Sequence, residues 1–418
     1  MKLTKLFATC LAITMVWLLI GSLALAQDKT DLSRLVVIGD SLSAGFQNHS
    51  LLDSQQPHGY ASLVAAQAGV PLPLPLIAAP GIPNVLQLVS FGPPPVIITA
   101  PGLSTGRDNP TVQAMDLAVP GANVQDALTA RPHFTFDNLT DFVLGLPGVF
   151  AGVSRSQVEW AEHLGPTTII VWLGNNDALG AAVAADPAFL TPLATFQTAY
   201  SEVISRLHAT GAKLILANIP DVTVIPFLTP AERLAAQIGL PLFVIGPALG
   251  IGAGDFVTPD AFPLIPAILA NPALGPLPGN VVLTAAETVT IRSAVNAYNN
   301  FIAEQADANG AALVDIHALT AEFQTHGVVE GGQRLTTDFL GGLFSLDGVH
   351  PTNTGYALFA NEFIKTLNTN FVAGIPPLSI LEIEKNDPLV PPGVGRPPSA
   401  LGNISPESAE KLRQILVH

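Results

Sequence analysis

Four short segments carry the residue types that attack on a carbonyl requires. Gly39-Asp40-Ser41-Leu42-Ser43-Ala44-Gly45 follows the apolar run Arg34–Ile38. A serine on a sharp turn out of a strand, opening a helix, has an exposed hydroxyl. Its N–H lies among the unpaired amides of the helix start, where an oxyanion is stabilised. The hydroxyl is a weak nucleophile unless a base lies within hydrogen-bond reach. Asp347-Gly348-Val349-His350-Pro351 offers one. Two intervening residues let Asp347 hold one ring nitrogen of His350 while the other faces a serine. Gly174-Asn175-Asn176-Asp177 follows the run Thr168–Leu173. There a glycine allows close backbone approach to a ligand, and an asparagine amide can donate to a developing oxyanion. Pro120-Gly121-Ala122-Asn123 follows Val112–Val119, with the Gly121 N–H as a further donor. Taken singly, each segment has a plainer reading: a turn, or a polar loop capping a helix. Asp40 reads as a loop-holding acceptor and Ser43 as a capping hydroxyl.

These segments need strands to carry them. Short apolar runs at 34–38, 112–119, 168–173, 213–219 and 312–316 alternate with helical patterns at 58–68, 123–128, 154–164, 193–210, 284–309 and 354–367. Thr284-Ala-Ala-Glu287 is a capping-box pattern and Asn309-Gly310 a helix stop. Continuous apolar strands alternating with helices predict a parallel sheet covered on both faces, an α/β/α sandwich. Two stretches interrupt the alternation. Residues 59–106 hold no charge and are rich in proline; residues 221–283 hold only Asp221, Glu232, Arg233, Asp255 and Asp260. Recurring proline excludes a membrane helix in either. They are expected either to wall an acyl-chain pocket or to enlarge the core. Residues 371–418 read as a proline-rich, linker-like tail before a short helix at 406–416.

The bulk composition agrees with an apolar, loop-punctuated enzyme-sized chain. Of 418 residues 49% are hydrophobic and 12% charged, with 37 prolines and 36 glycines. A net charge of −15 excludes nucleic acid as a partner, since phosphate binding needs clustered cations. Lys2 and Lys5, the apolar stretch Leu6–Ile20 and Ala24-Leu25-Ala26 predict a signal peptide over 1–26, cleaved before Gln27, and hence a secreted or periplasmic protein. The single cysteine, Cys10, lies inside that leader, which leaves no disulfide and no thiol nucleophile. His49, His58, His133, His163, His208, His317, His326 and His418 are scattered, without a metal-ligand spacing, and read as structural or solvated.

Taken in order, GDSLSAG, PGAN, GNND and DGVHP resemble the SGNH hydrolases, also called the GDSL esterase/lipase family. The resemblance covers roughly residues 34–370. It implies a flavodoxin-like sandwich with five parallel strands in a domain over 27–370, from whose compact core the insertions near 70–111 and 221–283 and the tail depart. It further implies Ser41 as nucleophile, His350 as base and Asp347 as the triad acid. Ser41, Gly121 and Asn176 then form the oxyanion hole, and no cofactor or metal is required. The implied substrate is a small-molecule or lipid ester, with transient contact to a lipid surface as an accompanying expectation. A carbohydrate acetyl esterase, an acyltransferase or a non-catalytic binding protein on the same fold are the alternatives.

Overall fold

The strand runs become strands because their alternate residues can be buried on both faces. Four of them form the parallel sheet: β1 (Leu35–Gly39), β2 (Thr168–Trp172), β3 (Lys213–Ala217) and β4 (Ala312–Val314), in that spatial order. The computed structural model describes residues 30–92, 95–133, 135–330, 333–390 and 405–416; the expected leader lies outside them. Val36, Ile38, Ile169, Val171, Leu214 and Leu216 enter one core. Leu35, Val37, Ile170, Trp172, Ile215, Ala217 and Val314 enter the other. The split follows the period of two of a strand, and each large aliphatic so buried contributes about 1.5–3 kcal/mol.

Helices cover both faces, making a three-layer α/β/α sandwich. The first core is closed by α2 (Val124–Thr129), α3 (Gln157–Leu164), α4 (Asn176–Val183), α5 (Leu193–His208) and α6 (Ala285–Ala308). The second is closed by α1 (Tyr60–Ala68), α7 (Ile316–His326) and α8 (Asn353–Phe371). The Thr284–Glu287 capping box opens α6 as expected.

The expectation of five full strands is corrected in one respect. The fifth place, beside β1, is taken by Met115–Val119, which bonds to Val37 and Gly39 at 2.9–3.1 Å but pairs only at Asp116. Asp116 is buried and its carboxylate accepts the N–H of Ala118 at 3.1 Å. Such a local side-chain bond competes with a regular ladder.

The apolar segment from Ala231 to Val282 builds a separate small core around Leu234, Ile245, Leu249, Ile265 and Ile268. The first insertion forms an antiparallel hairpin, Leu86–Ser90 with Val96–Thr99. The linker-like reading of the tail is corrected over its described residues, 371–390 and 405–416. Ala373, Ile375 and Val390 are buried in the second core, and α9 (Pro406–Leu416) buries Ala409, Leu412 and Leu416 in the first. Pro376, Pro377 and Pro388 lie exposed between these buried residues.

Asp387 ties that segment to the start of α8. Its carboxylate accepts both the N–H and the hydroxyl of Thr354, each at 2.8 Å, while burial raises its pKa. Asp387→Ala would orphan three buried donors, the Leu389 N–H at 3.0 Å included, and should cost about 3 kcal/mol of stability in urea unfolding. An unchanged midpoint would show that the segment contributes nothing.

Candidate active site

Ser41 lies two residues beyond β1, whose last residue, Gly39, is level with Trp172 at the end of β2. That register brings the GDS and GNND segments side by side at the carboxyl edge of the sheet, where open α/β folds bind ligands. Residues after Ser41 form a turn, not the expected helix: Ala44 N–H reaches Asp40 O and Phe46 N–H reaches Ser41 O, both at 3.0 Å. Ser43 does not cap; its hydroxyl meets the Tyr60 hydroxyl at 2.9 Å.

From the other end of the chain, the loop before α8 delivers His350. Its Nε2 lies 2.8 Å from Ser41 Oγ, and its Nδ1 lies 3.0 Å from Asp347 Oδ2. Asp347 and His350 are each 1% exposed and Ser41 3%. Burial alone would raise the Asp347 carboxyl. The charge and ring N–H of His350, with the backbone N–H groups of His350 and Val349, outweigh it and hold the carboxyl well below the usual range. The arrangement can draw a proton from Ser41 and keep the resulting imidazolium oriented.

Asn176 stands at the start of α4 and borders the same cleft as Ser41. Its amide donates to Ala122 O at 2.9 Å, which leaves a second N–H for a group in the cleft. Gly174 has a different role from the expected ligand approach. At φ 108° it adopts a conformation suited to glycine, and a Cβ would sit 2.8 Å from Ile219 Cδ1. Gly121, with φ 86°, borders a separate cavity with Ile82, Pro83 and Ile415 rather than the Ser41 cleft. Its loop is nonetheless tied to the site, because Val119 N–H bonds Gly39 O and Ala122 O accepts Asn176.

Three supporting groups were not singled out from the sequence. Asn175 donates to Asp40 Oδ2 at 2.8 Å, Asp177 accepts Val124 N–H at 3.0 Å, and His49 N–H donates to Asp347 Oδ2 at 2.7 Å. The adjacency of Asn175 and Asp177 to Asn176 was the available signal for two of them. His49, set aside as scattered, had none.

Fold and site together define an ester-bond hydrolase of the α/β/α type. The chain belongs to the GDSL-like Lipase/Acylhydrolase family, whose model matches residues 35–363. No curated protein matches it. Among solved structures, LAE5, an alpha/beta hydrolase enzyme from the metagenome of Lake Arreo, Spain, is 13% identical with TM-score 0.37, covering 82% of this chain and 97% of its own. The psychrotrophic esterase EstA from Pseudoalteromonas sp. is 12% identical with TM-score 0.33, over 80% and 97%. A catalytic variant of Axe2, an acetylxylan esterase from Geobacillus stearothermophilus, is 11% identical with TM-score 0.38, over 80% and 93%. At these distances the neighbours define neither substrate nor mechanism for this chain.

Asp40 beside Ser41 holds its loop: Oδ1 accepts Leu42 N–H at 3.0 Å and Oδ2 accepts Asn175. Burial raises its pKa from 3.8 to about 6, against the lowering effect of those bonds. Within that window the folded protein retains a proton that the unfolded chain has released, so stability falls as pH rises from 3.8 to about 6. Asp40→Asn removes this slope and keeps an acceptor for Leu42. Urea unfolding should show the variant gaining on the wild type as pH rises through the window and level with it below. A constant difference at all pH values would contradict the assignment.

Proposed function

We propose that this chain is an exported serine esterase that cleaves acyl esters of medium chain length through Ser41, His350 and Asp347. The observation that supports it is the 2.8 Å approach of His350 Nε2 to Ser41 Oγ at the floor of an apolar cleft. In the reaction, His350 takes the hydroxyl proton as Ser41 Oγ bonds to the ester carbonyl carbon. Asp347 stabilises the imidazolium. The Ser41 N–H and the Asn176 amide carry the oxyanion. Collapse expels the alcohol, which takes the proton from His350. Water, deprotonated by the same ring, then releases the acid.

The cleft favours hydrocarbon. Its walls are formed by Leu42, Leu179, Pro220, Val222, Val224, Ile225, Phe323, Phe344 and Phe359. Its wall corrects the sequence expectation. Only the start of the 221–283 stretch borders it, with none of 255–283 and none of the described residues of the uncharged 59–106 stretch. Apolar composition marks burial without saying which cavity the residues face. A sugar would need paired hydroxyls. The one carboxylate on the wall, Asp221, is already held by Arg292 at 2.8 Å.

Each methylene buried in such a wall is worth about 0.8 kcal/mol. Butyrate to octanoate esters should therefore exceed acetate in kcat/KM, with little action on acetylated xylan. Val224→Trp should abolish the gain with length and spare acetate. A purified enzyme that prefers acetate or acetylated polysaccharide would overturn the acyl reading alone. Ser41→Ala should lose several orders of magnitude in kcat, as triad members act as a unit. Retention of more than about a tenth of activity would overturn the nucleophile.

Asn176→Ala should cost roughly 10²–10³ in kcat with little change in KM, as for one oxyanion donor. A change confined to KM would instead make Asn176 a ground-state contact. For export, N-terminal sequencing of secreted material should read Gln27 first; an intact Met1 terminus in the membrane fraction would contradict cleavage.

A further inference from the structure

The turn that carries Ser41 continues into Phe46-Gln47-Asn48-His49-Ser50 and there meets the far end of the chain. Gln47 N–H donates to Ser50 O at 3.0 Å, and Ser50 N–H returns to Gln47 O at 3.1 Å. The two residues between them, Asn48 and His49, have φ of 53° and 65°. Positive φ at both central positions is the demand of a type I′ hairpin turn, normally met by asparagine and glycine. Asparagine tolerates it; histidine is strained there, and strain of this kind persists where surrounding bonds over-determine it.

Those bonds run to the loop of the triad acid. Asn48 N–H donates to Ser345 Oγ at 3.0 Å, and Asn48 Oδ1 accepts Leu346 N–H at 3.1 Å. His49 N–H donates at 2.7 Å to Asp347 Oδ2, the same oxygen that receives His350 Nδ1. Phe46 adds its ring, 4.7 Å from the His350 ring between centroids, and its carbonyl, which accepts the Tyr356 hydroxyl at 2.6 Å. The first insertion backs the turn: Leu86 N–H bonds Asn48 O at 2.9 Å, and Leu51 and Ile82 exchange backbone bonds at 3.0–3.1 Å. The His49 ring takes no part in this link. It is buried with no hydrogen-bond partner on either nitrogen among the described residues, and burial lowers its pKa to about 4. The link to the triad is made by its main chain.

We propose that the Asn48–His49 turn is a positioning device for the triad, holding the Asp347 loop in register with Ser41 from the nucleophile's own side. It rests on the triad reading above. Among the described residues, the other bonds to the Asp347 carboxylate come from its own loop, from Val349 and His350. Those fix the carboxylate relative to His350 but not relative to Ser41. The turn supplies that second relation, since Phe46 is bonded back to Ser41 O.

The test uses the purified full chain on a soluble ester. Asn48→Gly keeps the turn, which suits glycine, and deletes only the acceptor for Leu346. Ser345→Ala deletes the acceptor for Asn48 N–H. Each should lower kcat about tenfold, the scale expected for a small misplacement of a reacting group, with KM within twofold. The double variant should lose little more than either, because both release one clamp. Ser345→Ala leaves the backbone of the turn untouched, so it keeps the test decisive even if Asn48→Gly folds poorly. Single variants that keep kcat within twofold, or losses confined to KM, would overturn the proposal. Asp347→Ala, measured alongside, reports on the triad itself: full activity there defeats the triad reading whatever the turn variants do.

Discussion

The buried carboxylate of Asp347 is the constraint around which the site is organised. A charge this deep survives only when its lone pairs are met, and four donors meet it: the ring of His350 and the main-chain N–H groups of His350, Val349 and His49. Three come from its own loop and one from the other end of the chain. Satisfying the charge therefore requires the first and last segments of the domain to close on each other. The same closure sets the His350–Ser41 distance.

The sheet makes that closure feasible. β1 and β2 end level, so Ser41 and Asn176 emerge side by side, and the α8 loop descends beside them. Two apolar cores, one on each face, fix the strands that carry these loops. Polar bonds between loops then do the fine placement: Asp40 to Asn175, Asp177 to Val124, Asn176 to Ala122. Each links two of the four chemistry-bearing segments to one another. The surrounding additions, including the 231–282 core and the described residues after α8, enlarge and brace this frame without bordering the cleft.

Local patterns were legible in the sequence and long-range contacts were not. Ser41, Asp347, His350 and Asn176 stood out because their types and short spacing already imply chemistry, and β1, β2 and β3 because a buried parallel strand is an unbroken apolar run. The contact between His49 and Asp347 spans 298 residues and uses a backbone N–H, which no side-chain pattern reports. The uncharged insertions misled for a related reason: hydrophobicity predicts burial and carries no direction. Residues 371–390 misled because proline-rich chain can bury Ile375 and Val390 at irregular intervals, with no period to detect.

The central claim is that Ser41 is made nucleophilic by a preformed His350–Asp347 pair. Labelling of the purified protein with a fluorophosphonate, followed by peptide mapping, reads this out directly. One adduct per chain on the peptide containing Ser41, lost on prior denaturation, is the predicted result. No adduct on the native protein, or an adduct on another serine with Ser41 unmodified, would contradict it.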